Sequence, residues 1–376
     1  MLTGSTAFDC PMKSTWPGPN LLDITSRPSR AARQPRCDGM RQNALRYLGS
    51  VAFLLAAGGG SSLLANDSSA ELSVGGLVFT RSADVSLESE DLAITPDVVV
   101  VRYRFLNQTP KPVTLTVAFP LPDIDLSEGD NYAIPTNDPA NFLGFETKVD
   151  GKPISFTIHQ NAFLGPKDIS AALQSAGVPL LPIGAQQTRL SDLPQATREK
   201  LIGQGLLLQN GMDERGRQLY EGAWTVKTAA VRQQTFAPDR PVMVEHRYHT
   251  SLGVSFDTVL RKGLRQNKAM AAEIERYRKD YCVSDAFLAG LDKLAGSGEA
   301  NSAKLQERRI SYVLKTGANW AGPIKDFRLT VDKQKADRLV SFCANGIKAI
   351  SPTVIEFTAK DFTPDKDLKI LIVGRF

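Results

Sequence analysis

The stretch VVVVRYRFLNQTPKPVTLTVAFPLPDI, residues 98–124, limits the possible folds more than any other part of the chain. Side chains of an extended strand alternate between two faces, so Val101, Tyr103 and Phe105 point one way and Arg102 and Arg104 the other. Beyond the turn, Thr114, Thr116 and Ala118 oppose Leu115, Val117 and Phe119 in the same manner. A helix would scatter each set around its axis. Strands with one apolar and one wet face belong to antiparallel sheets, and the polar turn NQTPKP predicts that these two form a hairpin.

Other β-branched and aromatic runs extend this pattern along the chain. Leu72–Thr80, Asp84–Ile94, Ile154–His159, Trp224–Phe236 and Pro241–Thr250 read as strands bounded by Pro, Gly, Asn and Asp turns. Near the C-terminus, so do Arg309–Thr316, Ile324–Val331, Leu339–Cys343, Val354–Phe357 and Leu368–Val373. Two regions read helically instead. From Lys167 to Asn210 the clearest signal is SDLPQATREKLIGQG, in which Asp192 and Gln195 resemble a capping box and Gly203 a stop. From Lys262 to Cys282 apolar residues recur at helical steps, and Ser284 is placed to cap a following helix with Phe287, Leu288, Leu291 and Leu294 on its apolar face.

Runs of strands without regular βαβ alternation predict a mainly β protein with helical insertions, in an antiparallel β-sandwich, immunoglobulin-like architecture. The expected organisation is two sandwich-like units. One spans 66–258 with a helical insertion at about 165–221, and the other spans 259–376 with a helical segment before its sheet.

The first 65 residues have a different character. Met40 opens MRQNALRYLGSVAFLLAAGGGSSLLANDSS, in which Arg41 and Arg46 precede an apolar run of about eleven residues, Tyr47–Ala57. This is the layout of a secretory signal peptide over 40–65, with cleavage expected between Ala65 and Asn66. The apolar run falls well short of the roughly 20 residues that span a bilayer, so no permanent membrane span is expected after processing. Residues 1–39 show no apolar periodicity and read as an unstructured leader ahead of a true start at Met40; an Arg-rich transit peptide is the competing reading.

Removing that segment changes the electrostatics. Seven of the 45 Lys and Arg and three of the 40 Asp and Glu lie in residues 1–65. The remainder holds 38 and 37, a net charge of about +1 rather than +5, which takes away any argument for a nucleic-acid partner. Cys10 and Cys37 leave as well. Cys282 and Cys343 remain, and in an exported chain they are expected to pair. A catalytic thiol would need a nearby histidine, and the three histidines, His159, His246 and His249, all precede the cysteines.

Few residues carry a signature of chemistry. In EHRYHTS, strand alternation puts His246 on one face with Val244 and Tyr248, and His249 on the other. Two ligands three residues apart can share a metal from a helix but not from a strand. Asp123, Asp125 and Ser127 alternate as the first ligands of a calcium loop do, but Glu128 stands where an EF-hand needs Gly and Ile134 where it needs the closing Glu. They form a weak calcium candidate, and an acidic solvated turn is the plainer reading. There is no phosphate loop, G-x-S-x-G, H-E-x-x-H or Cys-x-x-Cys. No cofactor is expected and no catalytic residue can be named, although a carboxylate pair would leave no spacing to read. Trp224 and Trp320 are expected to anchor strands rather than present sugar platforms. The run RYRK, 276–279, favours the dipole of its helix, with a phosphate or lipopolysaccharide contact as the lesser reading.

Several of these segments, taken together and in order, resemble one family. NDSSAELSVGGLVFTRSADVSLESEDLAI, VRYRFLN, VAFPLPDI, EHRYHTSLG, NWAGPIKDFRLTVDK and SFCANGIK are similar to the bacterial domain of unknown function 4424 family, over about Asn66–Phe376. The resemblance implies an exported Gram-negative protein with a β-rich body and uncharacterised activity, and it supplies no catalytic residues. The expected function is therefore a periplasmic or secreted binding or structural module of the cell envelope, its partner an unknown envelope ligand or protein. The alternatives are an envelope hydrolase using paired carboxylates and a subunit of an exported assembly.

Overall fold

The structure is a computed structural model that describes residues 68–73, 76–127, 132–183, 187–296 and 305–376. The expected leader (1–39), signal peptide (40–65) and cut at Ala65–Asn66 lie outside these residues. The principal strands in chain order are β1 (Val85–Ile94), β2 (Val98–Asn107), β3 (Val113–Pro120), β4 (Thr157–Leu164), β5 (Thr225–Phe236), β6 (Val242–His249), β7 (Leu252–Ser255), β8 (Gln306–Tyr312), β9 (Ile324–Asp332), β10 (Leu339–Phe342), β11 (Val354–Phe362) and β12 (Leu368–Gly374).

They build a mainly β fold from several sheets, as the alternating runs predict. An eight-stranded sheet runs in the order 348–349, β11, β9, β1, β2, β6, 146–149, 152–153. A seven-stranded sheet has β4, β5 and β3 at its centre, and a five-stranded sheet runs β10, β12, β8, β7, 132–133. One core joins their inner faces. Val101, Tyr103 and Phe105 are fully buried, while Arg102 on the other face is exposed and bonds Glu245 of β6 at 2.7 Å. Phe105 meets Phe236 of β5 at 5.8 Å between ring centroids, and the Tyr103 hydroxyl lies 2.9 Å from that of Tyr312 in the five-stranded sheet.

The expected hairpin between β2 and β3 does not form. β2 pairs with β1 and β6, whereas β3 pairs with β5, so the NQTPKP turn carries the chain from one layer to another. The apolar faces of the two strands are buried across the sandwich instead of lying side by side. Asn107 holds the crossing: its Nδ2 donates to Phe236 O at 2.9 Å and Lys111 O at 2.7 Å, and its Oδ1 accepts from Thr109 N. Pro110 and Pro112 have no N–H to extend a ladder. A second departure is the parallel pairing of β1 with β9, register Leu92 to Leu329. It joins strands from both sides of the expected boundary at 258/259 in one sheet.

The insertion at about 165–221 is mixed rather than helical. It contains α1 (Ser170–Ser175), α2 (Gln187–Asp192) and α3 (Gln195–Gly203), then a two-stranded hairpin, 207–212 with 218–222. The capping box is not made. Asp192 ends α2, Pro194 takes the N-cap of α3 in an extended conformation, and the Gln195 amide bonds Glu199. Gly203 closes the helix, and the left-handed turn follows at Gly205, φ +70°.

The second helical region is divided as well. After α4 (Lys262–Arg265), the Asn267 side chain accepts from Ala269 N and starts a short 3-10 turn that leads into α5 (Ala271–Tyr281). Ser284 caps α6 (Asp285–Ala295) as expected, its Oγ accepting from Phe287 N at 3.1 Å. Phe287, Leu288 and Leu291 join Tyr277 and Tyr281 against Leu371 and Val373 of β12. The alternate β12 residues, Ile370 and Ile372, enter the main core, so this strand is covered on both faces. Cys282 follows α5 directly, and its sulfur lies 2.05 Å from that of Cys343, which follows β10. The pair ties the helices to the five-stranded sheet.

Candidate functional site

Alternation along β8 sends its side chains in two directions. Ile310 and Tyr312 enter the core, while Glu307, Arg309 and Ser311 project from the outer face of the five-stranded sheet. The register places Ser255 beside Glu307, Gly253 beside Arg309, and Lys369 beside Ser311. The helix α5 lies over this face and contributes Glu273, Arg276, Tyr277 and Tyr281, which recur at three- and four-residue steps on one side. Between helix and sheet is a polar cleft of about 450 Å3.

Glu307 is the focus of the cleft. It is only 1% exposed, and its Oε1 accepts hydrogen bonds from the Tyr277 hydroxyl and from Arg309 Nη1. Its Oε2 is buried and has no hydrogen-bond partner among the described residues. An unmet buried acceptor costs on the order of 1–3 kcal/mol, more when charged, so a fold retains one at some expense. Arg309 Nη1 also reaches the Tyr277 hydroxyl at 3.3 Å and Ser255 Oγ at 3.5 Å. Room for this guanidinium depends on Gly253, where a Cβ would come within 2.9 Å of Arg309 Nε.

The other charges are paired around the rim. Arg276 Nε donates to Glu273 at 2.9 Å, Arg276 Nη1 lies 3.6 Å from Asp280, and Lys369 Nζ donates to Asp280 at 2.8 Å. The hydrogen bond from Arg276 holds the Glu273 carboxyl below the usual carboxylate range. Burial pushes the Tyr277 hydroxyl far up, with the Glu307 charge adding to it, and pushes Tyr281 up to about 12 against the pull of Arg309 and Arg276. Burial alone would lower Arg309, but Tyr277 and Glu307 outweigh it and the pKa is raised. The cleft therefore presents neutral tyrosine hydroxyls and fixed charges of both signs. This arrangement suits binding by hydrogen bond and ion pair.

The residues singled out from the sequence lie elsewhere. Asp125 accepts from Ser127 N and Oγ at 3.0 and 2.7 Å, a local turn, while Asp123 faces Lys227 at 3.7 Å. Among the described residues no group of three or more His, Cys, Asp or Glu could hold a metal. His246 is fully buried among the rings of Phe119, Phe145 and Tyr103, and His249 is exposed on the opposite face. Trp224 is buried and donates from Nε1 to Leu180 O at 2.7 Å, and Trp320 packs on Phe105 at 4.6 Å. Both anchor the core.

The model of a family described as a domain of unknown function, DUF4424, matches residues 65–371. The chain belongs to the DUF4424 family. No curated protein sequence matches this DUF4424 chain. Among solved structures, a candidate nutrient-binding protein of Legionella pneumophila is 15% identical over 78% of this chain and 68% of its own, with a TM-score of 0.37. A zinc metallopeptidase of the M1 class from Deinococcus radiodurans is 8% identical over 78% of this chain and 43% of its own, with a TM-score of 0.26. Both likenesses fall below the level of a shared fold.

Sequence reasoning missed the cleft of the DUF4424 chain for an identifiable reason. The run RYRK reads as a basic helix end, yet Arg276 and Tyr277 turn into the cleft while Arg278 pairs with Asp285 at 2.9 Å. The usable signal is in QERRISY. Glu307 and Arg309 share a strand face that should be apolar under a helical layer, and opposite charges at such positions mark a polar site.

Proposed function

We propose that this DUF4424 protein is an exported, periplasmic binding module of a bacterial cell envelope, and that the cleft between α5 and the five-stranded sheet holds a small polar ligand. The observation that carries the reading is Glu307, a buried carboxylate with one oxygen saturated by Tyr277 and Arg309 and the other without a donor among the described residues. Burial of that kind is costly unless something completes it. Export is supported by the signal-peptide layout of residues 40–65 and by a cysteine pair at disulfide distance, which persists in an oxidising compartment.

A carboxylate-pair hydrolase needs one acid raised toward neutrality. In this cleft Arg276 holds Glu273 below the usual carboxylate range and Arg309 pairs with Glu307, and we read these fixed ion pairs as binding groups. Thermal unfolding of the purified protein against a panel of polar small molecules tests the reading. A bound ligand raises the midpoint in proportion to the logarithm of its concentration over Kd. The expected result is a stabilising compound whose effect disappears in Glu307→Gln; stabilisation that survives the substitution would place the site elsewhere. Export is tested by intact mass of the protein recovered from the envelope, expected to begin at Asn66.

A further inference from the structure

Building on the reading of the cleft as a ligand site, we infer that its ligand is a zwitterion of the α-amino acid type, with the ammonium group on Glu307 and the carboxylate on Arg309. Glu307 Oε2 is an acceptor in need of a donor, and it belongs to a carboxylate, which a cationic N–H satisfies best. Arg309 is its counterpart. All its hydrogen bonds to Glu307, Tyr277 and Ser255 use Nη1, so Nη2 and Nε remain available among the described residues, on a side chain that is 18% exposed. Acceptor and donor therefore stand side by side on alternate positions of β8, as ammonium and carboxylate stand side by side on one carbon.

Charge balance excludes the simpler ionic ligands. Around the cleft Arg276, Arg309 and Lys369 are matched by Glu273, Glu307 and Asp280. A phosphate or other net anion finds no surplus cation, and a net cation no surplus anion. A molecule of zero net charge with opposite ends meets both members of the Glu307–Arg309 pair without unbalancing the rest. A polyol could supply a donor, but it would gain nothing from the charge separation. The cleft volume of about 450 Å3 lies within the range of small-molecule sites. Tyr277 and Tyr281 line its helix side, with ring centroids 5.3 Å apart.

The test is isothermal titration of the full-length protein with L-glutamine, L-leucine and glycyl-L-glutamine, each beside its N-acetyl and C-terminal carboxamide derivatives, with D-glucose and inorganic phosphate alongside. The inference expects at least one zwitterion to bind, and acetylation or amidation each to weaken it about tenfold or more. Glu307→Gln should weaken it similarly, and Lys369→Gln on the rim serves if that variant does not fold. Equal binding of the acetylated compound, or binding of glucose or phosphate that Glu307→Gln removes, would overturn the zwitterion while leaving the cleft as the ligand site. Zwitterion binding unaffected in whichever of these variants folds would overturn the cleft itself, and titration by none of the probes would overturn the inference.

Discussion

Replacing Cys282 and Cys343 by serine tests how the helical layer is held, and its effect can be worked out in advance. The two residues are 61 apart in sequence, and cross-linking a loop of that length lowers the entropy of the unfolded chain enough to stabilise the fold by about 4 kcal/mol. A body of about 310 residues has an unfolding entropy near 0.65 kcal/mol/K, so the midpoint should fall by about 6 °C. The loss should have a local part too. Cys282 directly follows α5, which supplies one wall of the cleft, and without the pair that end is retained by the contact from Ser341 Oγ to Tyr281 O, 2.9 Å, and by apolar packing. Calorimetry of parent and double variant, with and without reductant, gives the global figure, and amide exchange over 271–295 gives the local one. The reasoning fails if the midpoint moves by less than about 1 °C, or if Cys282 and Cys343 of the parent alkylate in the native state without reduction.

Other expectations are more limited. Ser284→Ala removes the cap on Phe287 N and should cost about 1 kcal/mol in chemical denaturation, with the loss confined to α6. Gly253→Ala brings a Cβ within 2.9 Å of Arg309 Nε, so it should weaken ligand binding through a displaced guanidinium while changing stability by about 1 kcal/mol or less. Of the eight tyrosines, Tyr248, Tyr277 and Tyr312 are held above their usual range and Tyr281 near 12, all first by burial. Their folded pKa values exceed the unfolded ones, so the stability they confer is complete below pH 10 and is lost as pH rises through the folded values. Absorbance titration should show these four ionising well above pH 10 or only on unfolding; a single step near pH 10 for every tyrosine would contradict the burial.

The sequence made strand identity legible wherever one face is dry and the other wet. Val101, Tyr103 and Phe105 against Arg102 and Arg104 is the plain case, and β2 occupies the expected span. Pairing partners were not legible. Alternation says which side of a strand is buried but not which strand lies beside it, and so the turn after Asn107 read as a hairpin when it crosses between layers. The helical insertion was overextended for a related reason: among the described residues 207–212 and 218–222 pair only with each other, and Gln209, Asn210 and Gly211 are weak strand formers. The candidate site was least visible, because Glu307 and Arg309 acquire meaning only when α5 is packed over them. Neither residue forms a spacing motif with Glu273 or Tyr277, some thirty positions away.

The parallel pairing of β1 with β9 also bears on the order of events during folding. Arg328 of β9 forks onto Asp91 of β1 at 3.0 and 2.6 Å across a sequence separation of 237 residues. Closing so long a loop costs entropy before any contact returns it, and topologies dominated by such pairings fold slowly. The centre of the largest sheet cannot be completed until residue 332 is available. Until then β1 lacks its neighbour on the β9 side, so that edge of the growing sheet stays open through the synthesis of most of the chain and is closed by one of the later strands.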